Sequence, residues 1–287
     1  MPKLAKLLAV LALALAPVCA RAEPPVWVIK DADSTITLFG SIHLLPQVHW
    51  KPKAVTDALR TADDVWFEIP LDPASQLAGS QSAIRFAMLP SGQTLRSLLD
   101  APTRARLEKI APTLNLAPAY LDRLQPWMAD LVLSQAFVDK AGARASQGVE
   151  MVLFKEVPPG AQLKSFETGE QQIRMLATLP VKEQIAGLAE TLRQIEEEPE
   201  AFDDIVADWV RGDLSGLAEE ALEPIRKASP LYFDVMITRR NADWVKQIKQ
   251  RLAGSGETLM VVGVGHLVGP GGVPELLRKD GVKVEGP

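Results

Sequence analysis

The sequence predicts an α/β fold of the α+β kind: one central mixed sheet built from both chain ends and covered by a largely helical middle segment. Three observations carry this. Thr35–Phe39 and Thr258–Val262 are apolar runs that read as buried strands near opposite ends of the 287 residues. Each run leads into a Gly-x-x-His, namely Gly40-Ser41-Ile42-His43 and Gly263-Val264-Gly265-His266. Between them, from about residue 100 to 255, helical spacing dominates, and no shift in composition marks a linker.

Taken in order, residues 1–22 read as a secretory signal. Lys3 and Lys6 precede the apolar stretch Leu7–Ala16, which is too short to span a bilayer, and Ala20-Arg21-Ala22 offers small residues for cleavage. Cleavage after Ala22 is preferred, with Ala20 as the alternative. Residues 23–287 are then expected to form a single domain, periplasmic or secreted. Val26–Lys30 and Thr35–Phe39 read as a hairpin around Asp31-Ala32-Asp33-Ser34. Pro52–Thr61 has helical spacing through Val55 and Leu59, and Val65–Ile69 reads as the next strand, ended by Pro70–Pro73. Pro102–Ile110 is amphipathic. Pro126–Lys140 is apolar on most sides and is expected to be buried. Val149–Val157 reads as a short helix and Gln162–Phe166 as a short strand. Thr168 with Gln171 fits a capping box. Val181–Leu222 is acidic and helical, and Ser229–Leu252 reads as one long helix. Strand Thr258–Val262, helix Pro274–Lys279 and strand Val282–Glu285 close the chain.

Composition narrows the function. The single cysteine, Cys19, falls in the signal, so the mature chain has no disulfide, thiolate metal site or cysteine nucleophile. Loss of Lys3, Lys6 and Arg21 takes the formal charge from −5 to −8. A net acidic surface argues against a nucleic-acid partner. No later segment is apolar enough for stable membrane insertion.

The chain has three histidines, and two of them lie just past strand ends, where α/β sheets expose functional groups. Imidazole is a common metal ligand and a proton carrier near neutral pH. Gly40 and Gly263 let the backbone turn sharply or pass close to a ligand. A lone strand-end histidine bonded to a backbone carbonyl is the plain alternative; two copies in matched settings favour a joint site. Two histidines holding a metal call for a carboxylate as well. Glu68, in the otherwise apolar Val65–Ile69, is the first candidate, since a buried carboxylate needs a partner. The alternative is an outward-facing residue on an edge strand. Glu150 shares an apolar helix face with Leu153 and Phe154. Glu167 stands between a strand and the cap Thr168, pointing into the cleft or merely favoured by the helix N-terminus. Arg240 and Asn241 fall inside the apolar stripe Phe233, Ile237, Trp244 and Ile248, whereas Arg239 does not. A buried arginine must meet a carboxylate, carbonyls or a substrate anion, in an ion pair or at an oxyanion. His49 reads as a surface residue or a third ligand. Ser41 lacks the Gly-x-Ser-x-Gly setting and is a minor nucleophile candidate.

At these residues the chain resembles the TraB/GumN family, which includes PrgY and the Tiki proteins. The resemblance rests on the two histidine motifs. Trp66-Phe67-Glu68, Gln125-Pro126-Trp127, Gly148-Val149-Glu150, Ser165-Phe166-Glu167-Thr168 with Gln171, Arg240-Asn241 and Gly265-His266-Leu267-Val268-Gly269 support it. It implies an extracytoplasmic protein with an essential glutamate, and a fold like the erythromycin-esterase and ChaN-like group. It implies a divalent metal, manganese or cobalt as in the Tiki proteins, and catalytic or metal roles for His43, Glu68 and His266. Zinc or iron also suits a mixed His/carboxylate site.

The function expected is therefore a periplasmic metal-dependent hydrolase, a peptidase acting on a peptide substrate. His43 and His266 bind the cation, and Glu68 is third ligand or general base. Glu150 or Glu167 orients a ligand from behind, and Arg240 holds a carboxylate or the oxyanion. A module that binds peptide or saccharide without turnover, and a metal-free hydrolase in the esterase style, are the alternatives.

Overall fold

The computed structural model describes residues 23–287; the expected signal over residues 1–22 lies outside them. β1 (Val26–Lys30) and β2 (Ser34–Ser41) form the expected hairpin, with Val26 opposite Phe39 and Lys30 opposite Thr35. Asp31 closes the turn by accepting from the N–H groups of Asp33 and Ser34. Helix α1 (Lys53–Thr61) and β3 (Asp64–Phe67) follow. Next come α2 (Pro73–Ala87), α3 (Leu95–Leu98), α4 (Ala101–Thr113), α5 (Pro118–Leu121), α6 (Pro126–Lys140) and α7 (Val149–Phe154). After β4 (Gln162–Ser165) the chain forms α8 (Gly169–Ala177), α9 (Val181–Glu197), α10 (Ala201–Arg211), α11 (Leu214–Leu217), α12 (Glu223–Ala228) and α13 (Pro230–Phe233). Helix α14 (Arg239–Leu252), β5 (Gly256–Gly263), α15 (Val273–Lys279) and β6 (Val284–Glu285) complete it.

These strands make one six-stranded mixed sheet in the order β4-β3-β5-β2-β1-β6. β4, β3, β5 and β2 run parallel, and β1 and β6 are antiparallel to their neighbours. β5, from the far end of the chain, sits between β2 and β3 from its beginning. The register sets Ser41 beside Gly263 and Phe67 beside Val261. Three parallel strands therefore end level with one another. Alternation along them sends Phe39, Phe67, Leu259 and Val261 to one face, under α1, α7 and α10. Ile36, Leu38, Met260 and Val262 go to the other, under α14 and α15. With both faces covered, the central strands are apolar almost throughout.

The helical middle differs from the sequence expectation in several ways. Helical structure begins at Pro73, well before residue 100, and β4 interrupts it. α3 to α6 do not cover the sheet: with α9 they enclose a core of their own, including Leu95, Leu107, Ile110, Leu121, Leu133 and Leu188. α2 escaped the periodicity analysis because it has almost no buried apolar face; Ser82 and Ala87 are its buried residues, and Leu77 and Ile84 are exposed. Its local signal was the cap, where Asp72 accepts from the N–H groups of Ala74 and Ser75 ahead of Pro73. α6 is less enclosed than expected, and Leu131 on it faces water. Val181–Leu222 breaks at Pro199 and again at Gly212, which takes a left-handed φ of 73°. Ser229 caps the helical run before Leu252, and that run contains a π-helical turn at Asp234–Thr238. The final strand is reduced to Val284–Glu285. Among the described residues no helix is long and apolar enough to cross a membrane.

Asp130 on α6 lies against Ser134, and loss of surrounding water pushes its carboxyl up to about 6. A raised native pKa means that the neutral acid is the form the fold prefers. The stability it contributes is complete below the unfolded carboxyl value of 3.8 and is lost as pH rises through about 6. Asp130→Asn is expected to raise Tm by a few degrees at pH 7.5 and to lose that advantage near pH 4, read by thermal unfolding across pH.

Candidate functional site

The level ends of β2, β3 and β5 bring His43, Glu68 and His266 together. Glu68 directly follows β3, His43 is two residues beyond β2, and His266 three beyond β5. Gly263 is the floor. A Cβ placed there would lie 3.0 Å from Glu68 Oε1, 3.7 Å from His43 Nε2 and 3.8 Å from the His266 ring. Gly40 serves the packing of the two motifs: a Cβ on it would come within 2.9 Å of Val264 Cγ2, so the first motif lies directly against the second. Glycine at 263 thus keeps the space between the three side chains open.

Each imidazole is anchored through Nδ1. His43 Nδ1 lies 2.6 Å from Glu150 Oε1. Glu150 is buried on α7 and also accepts from the Ser41 hydroxyl. Ser41 therefore holds a carboxylate in place and is not aimed as a nucleophile. Burial works against the Glu150 charge, and His43 with the Ser41 hydroxyl holds its carboxyl below the usual range. Glu150 in turn raises the His43 imidazole above its ordinary value. That ring is 63% exposed, so water screens part of the effect.

His266 is buried, and its Nδ1 lies 2.6 Å from Asn241 Oδ1. The Asn241 amide is fixed in orientation because its Nδ2 donates to the Gly271 carbonyl at 2.8 Å. Its Oδ1 is then an acceptor, so His266 Nδ1 carries the proton. Arg240 Nη1 stands 2.9 Å from His266 Nε2, and a guanidinium can only donate. Both contacts therefore require neutral His266 with a lone pair on Nε2. Burial, with the charge of Arg240, agrees, pushing the imidazole down to about 3.

Arg240 ties the rest together. Nη2 donates to Glu68 Oε2 at 2.6 Å, Nε to Glu167 Oε1 at 2.9 Å, and Nη1 also to the Met236 carbonyl at 3.0 Å. Its guanidinium lies over the Trp244 ring, 4.7 Å from the centroid. Glu68 also accepts from the Gly263 N–H at 2.7 Å and from Gln172 Nε2 at 3.0 Å. Burial opposes the Glu68 charge, but these partners hold its carboxyl below the usual range. With His266 neutral, Arg240 is the cation that matters most there.

Of the residues singled out from the sequence, His43, Glu68, Glu150, Glu167, Arg240, Asn241, His266, Gly40 and Gly263 lie together here. Glu167 points inward, accepting from Arg240 and from Trp244 Nε1 at 2.9 Å. Arg239 is exposed, as its place outside the apolar stripe predicts. His49 is not a third ligand: it lines a separate cavity with Trp50 and Val210. The sequence reading missed the site roles of Gln172, Trp244 and Gly148. Gln172 lies one turn into the capped helix α8, and only the fold reveals that it faces Glu68. The Trp244 ring packs on His266 with centroids 4.3 Å apart. A Cβ on Gly148 would overlap the His43 carbonyl oxygen.

With this geometry in view, comparison with known proteins places the chain. The profile of the TraB/PrgY/gumN family matches residues 25–286. The chain belongs to that family. Members similar to it include the uncharacterized protein YbaP of Escherichia coli (strain K12), 26% identical over 257 residues, covering 89% of this chain and 92% of that one. The uncharacterized protein YbaP of Shigella flexneri is 26% identical over 243 residues, covering 84% and 87%. An uncharacterized protein of Treponema pallidum (strain Nichols) is 22% identical over 276 residues, covering 88% and 80%. No solved structure matches the chain, so the fold likeness to the erythromycin-esterase and ChaN-like group stays an expectation from the family resemblance.

The backbone contact at Gly148 yields a direct test. Gly148→Ala is expected to cost about 2–4 kcal/mol of stability, because the His43 carbonyl or α7 must shift. Gly271→Ala, where a Cβ meets nothing within 4 Å, is expected to stay within about 0.5 kcal/mol. Denaturant unfolding of both variants measures the difference.

Proposed function

We propose that this protein is an extracytoplasmic hydrolase acting on peptides, with a divalent cation at His43, Glu68 and His266. The observation that carries the reading is the matched anchoring of the two imidazoles. Each gives its Nδ1 to a fixed side-chain oxygen, and both rings, with Nε2 of His43 among the nearest atoms, flank Gly263 beside the ionised Glu68. Metal-binding histidines have this arrangement, in which the second nitrogen fixes tautomer and ring orientation. The expected secretory signal supports the location.

The donor set suits a cation in its chemistry: two neutral-capable imidazoles and one carboxylate around an open floor. Among the described residues no group of three or more His, Cys, Asp or Glu side chains is already spaced to hold an ion. Arg240 is the reason on one side, since its Nη1 donates to His266 Nε2. Ligation by His266 calls for Arg240 to release that contact while it keeps Glu167. A cation bound here lowers the pKa of a coordinated water and polarises a carbonyl. The chain supplies the remainder. Glu150 fixes the His43 ring through Nδ1, so Nε2 faces the cleft and serves as ligand or proton acceptor once its own proton has left. Asn241 does the same for His266. Arg240 keeps Glu68 ionised and offers N–H donors to an oxyanion.

A second reading has its own observation. His43 with Glu150 is already an imidazole–carboxylate pair in which Glu150 raises the imidazole to about 9, so the ring acts as a base only after it gives up its Nε2 proton, and Arg240 already occupies the gap between Glu68 and His266. Metal-free hydrolysis follows from that pair.

Residues 23–287, stripped with chelator and resupplied with manganese, cobalt or zinc, are expected to cleave members of a peptide library only when metal is present. His43→Ala, His266→Ala and Glu68→Gln are each expected to lower kcat/KM at least about 100-fold. Cleavage that survives chelation moves the assignment to the His43–Glu150 base. Peptide affinity without any cleavage reduces the site to a binding cleft.

A further inference from the structure

A cavity of about 910 Å³ opens between α8 and the helical run through the π turn into α14. Its volume is in the range of ligand sites. It shares Glu167, Arg240 and Trp244 with the constellation described above. Trp244 lines the cavity and packs on His266 with centroids 4.3 Å apart. The π turn at Asp234–Thr238 contributes Val235 to the wall and leads straight into Arg239 and Arg240. π turns inside α-helices are rare and are frequent at functional sites.

We propose that this cavity is the subsite that takes a carboxylate-bearing part of the substrate, flanked by apolar residues. The proposal rests on the hydrolase reading for the substrate being a peptide. The lining supplies both halves of that recognition. Met175, Leu231 and Val235 give apolar surface, and Arg174, Arg239 and Lys246 give three cations at the rim. Of the two acids in the lining, Glu167 is already engaged by Arg240 and Trp244, which leaves Asp243. Each rim cation has an acid beside it, Glu170 for Arg174, Asp234 for Arg239 and Asp243 for Lys246, so recognition here rests on exchange of one carboxylate partner for another and not on excess positive charge.

The rim cations are held by exchangeable ion pairs, and Arg174 also lies over the Phe86 ring. Arg174 pairs with Glu170, Arg239 with Asp234 and Lys246 with Asp243, each at 2.7 Å, and all six side chains are substantially exposed. Exposed pairs of this kind contribute little to stability. A ligand carboxylate that brings apolar contacts with it can replace Glu170 or Asp234 at little cost. Arginine at two of the three positions suits bidentate capture of a carboxylate. Arg239 and Arg174 are thus assigned as specificity residues, on opposite walls.

The carboxylate can belong to a side chain or to the peptide's C-terminus, and three fluorescein-labelled decapeptides of the same apolar residues separate these. One is neutral and amidated, one carries two Glu and is amidated, and one is neutral with a free C-terminus. Fluorescence anisotropy with residues 23–287 at 50 mM salt is expected to give at least tenfold tighter binding for one of the two anionic peptides than for the neutral one. Which of them binds identifies the source. The double variant Arg174→Gln/Arg239→Gln, with Tm within about 2 °C of wild type, is expected to lose most of that preference, while Arg174→Lys/Arg239→Lys retains part. Equal binding of all three peptides, or a preference untouched by the double Gln variant, overturns the proposal. The hydrolase reading fails separately. Preferential binding with no cleavage under any metal leaves the subsite standing and removes the peptidase; cleavage without charge preference does the reverse.

Discussion

One guanidinium governs this site. Arg240 is buried together with Glu68, reaches the half-buried Glu167, and joins both carboxylates to His266. Leaving any of these groups without its partner underground costs about 3–5 kcal/mol, far more than a surface pair contributes. The consequences spread outward. Glu68 remains charged in an apolar strand end, and His266 remains neutral with its proton on Nδ1. Asn241, one residue on from Arg240, accepts a hydrogen bond from that Nδ1–H while its own amide is locked by donation to the Gly271 carbonyl. Trp244 lies a turn further on, beneath the guanidinium and against the imidazole. A single stretch of α14 therefore organises the charges, the tautomer and the aromatic wall.

The sheet makes this possible. A parallel strand presents its C-terminal end where the chain turns away, and four such ends lie side by side here. The insertion of β5 between β2 and β3 is what gathers groups from both ends of the chain. Glycines then set the clearances: Gly40 allows the two motifs to touch, and Gly263 keeps a floor beneath three polar side chains. The two sides of the site are built differently. His43 sits on an exposed shoulder with its own carboxylate, whereas His266 is enclosed and sees a cation. That asymmetry suits His43 for moving protons and His266 for holding a ligand once Arg240 withdraws.

Much of this was legible in the sequence because buried polar residues stand out against apolar periodicity. Glu68 interrupts a strand, Glu150 shares a face with Leu153, and Arg240 with Asn241 breaks the stripe of Phe233, Trp244 and Ile248. Each announces that it must find a partner. Which partner it finds is a tertiary fact. Nothing local says that Arg240 reaches two carboxylates at once, that Ser41 serves Glu150, or that Gln172 turns to Glu68. Gly148 was visible as a residue, but the reason for it, the His43 carbonyl pressed against its Cα, exists only after folding. The π turn before Arg239 leaves no mark in residue spacing. α2 was missed for the opposite reason: a helix with little buried apolar surface has no periodic signal to read.

The account depends on the protonation that Arg240 imposes on His266, and long-range 1H–15N correlation of the imidazole rings in the metal-free protein reads it directly. At pH 7, His266 is expected to be neutral, with the proton on Nδ1 and an acceptor nitrogen at Nε2, and to stay so to pH 5. A proton on Nε2, or an imidazolium at pH 6, contradicts the donation from Arg240 and with it the organisation of the site.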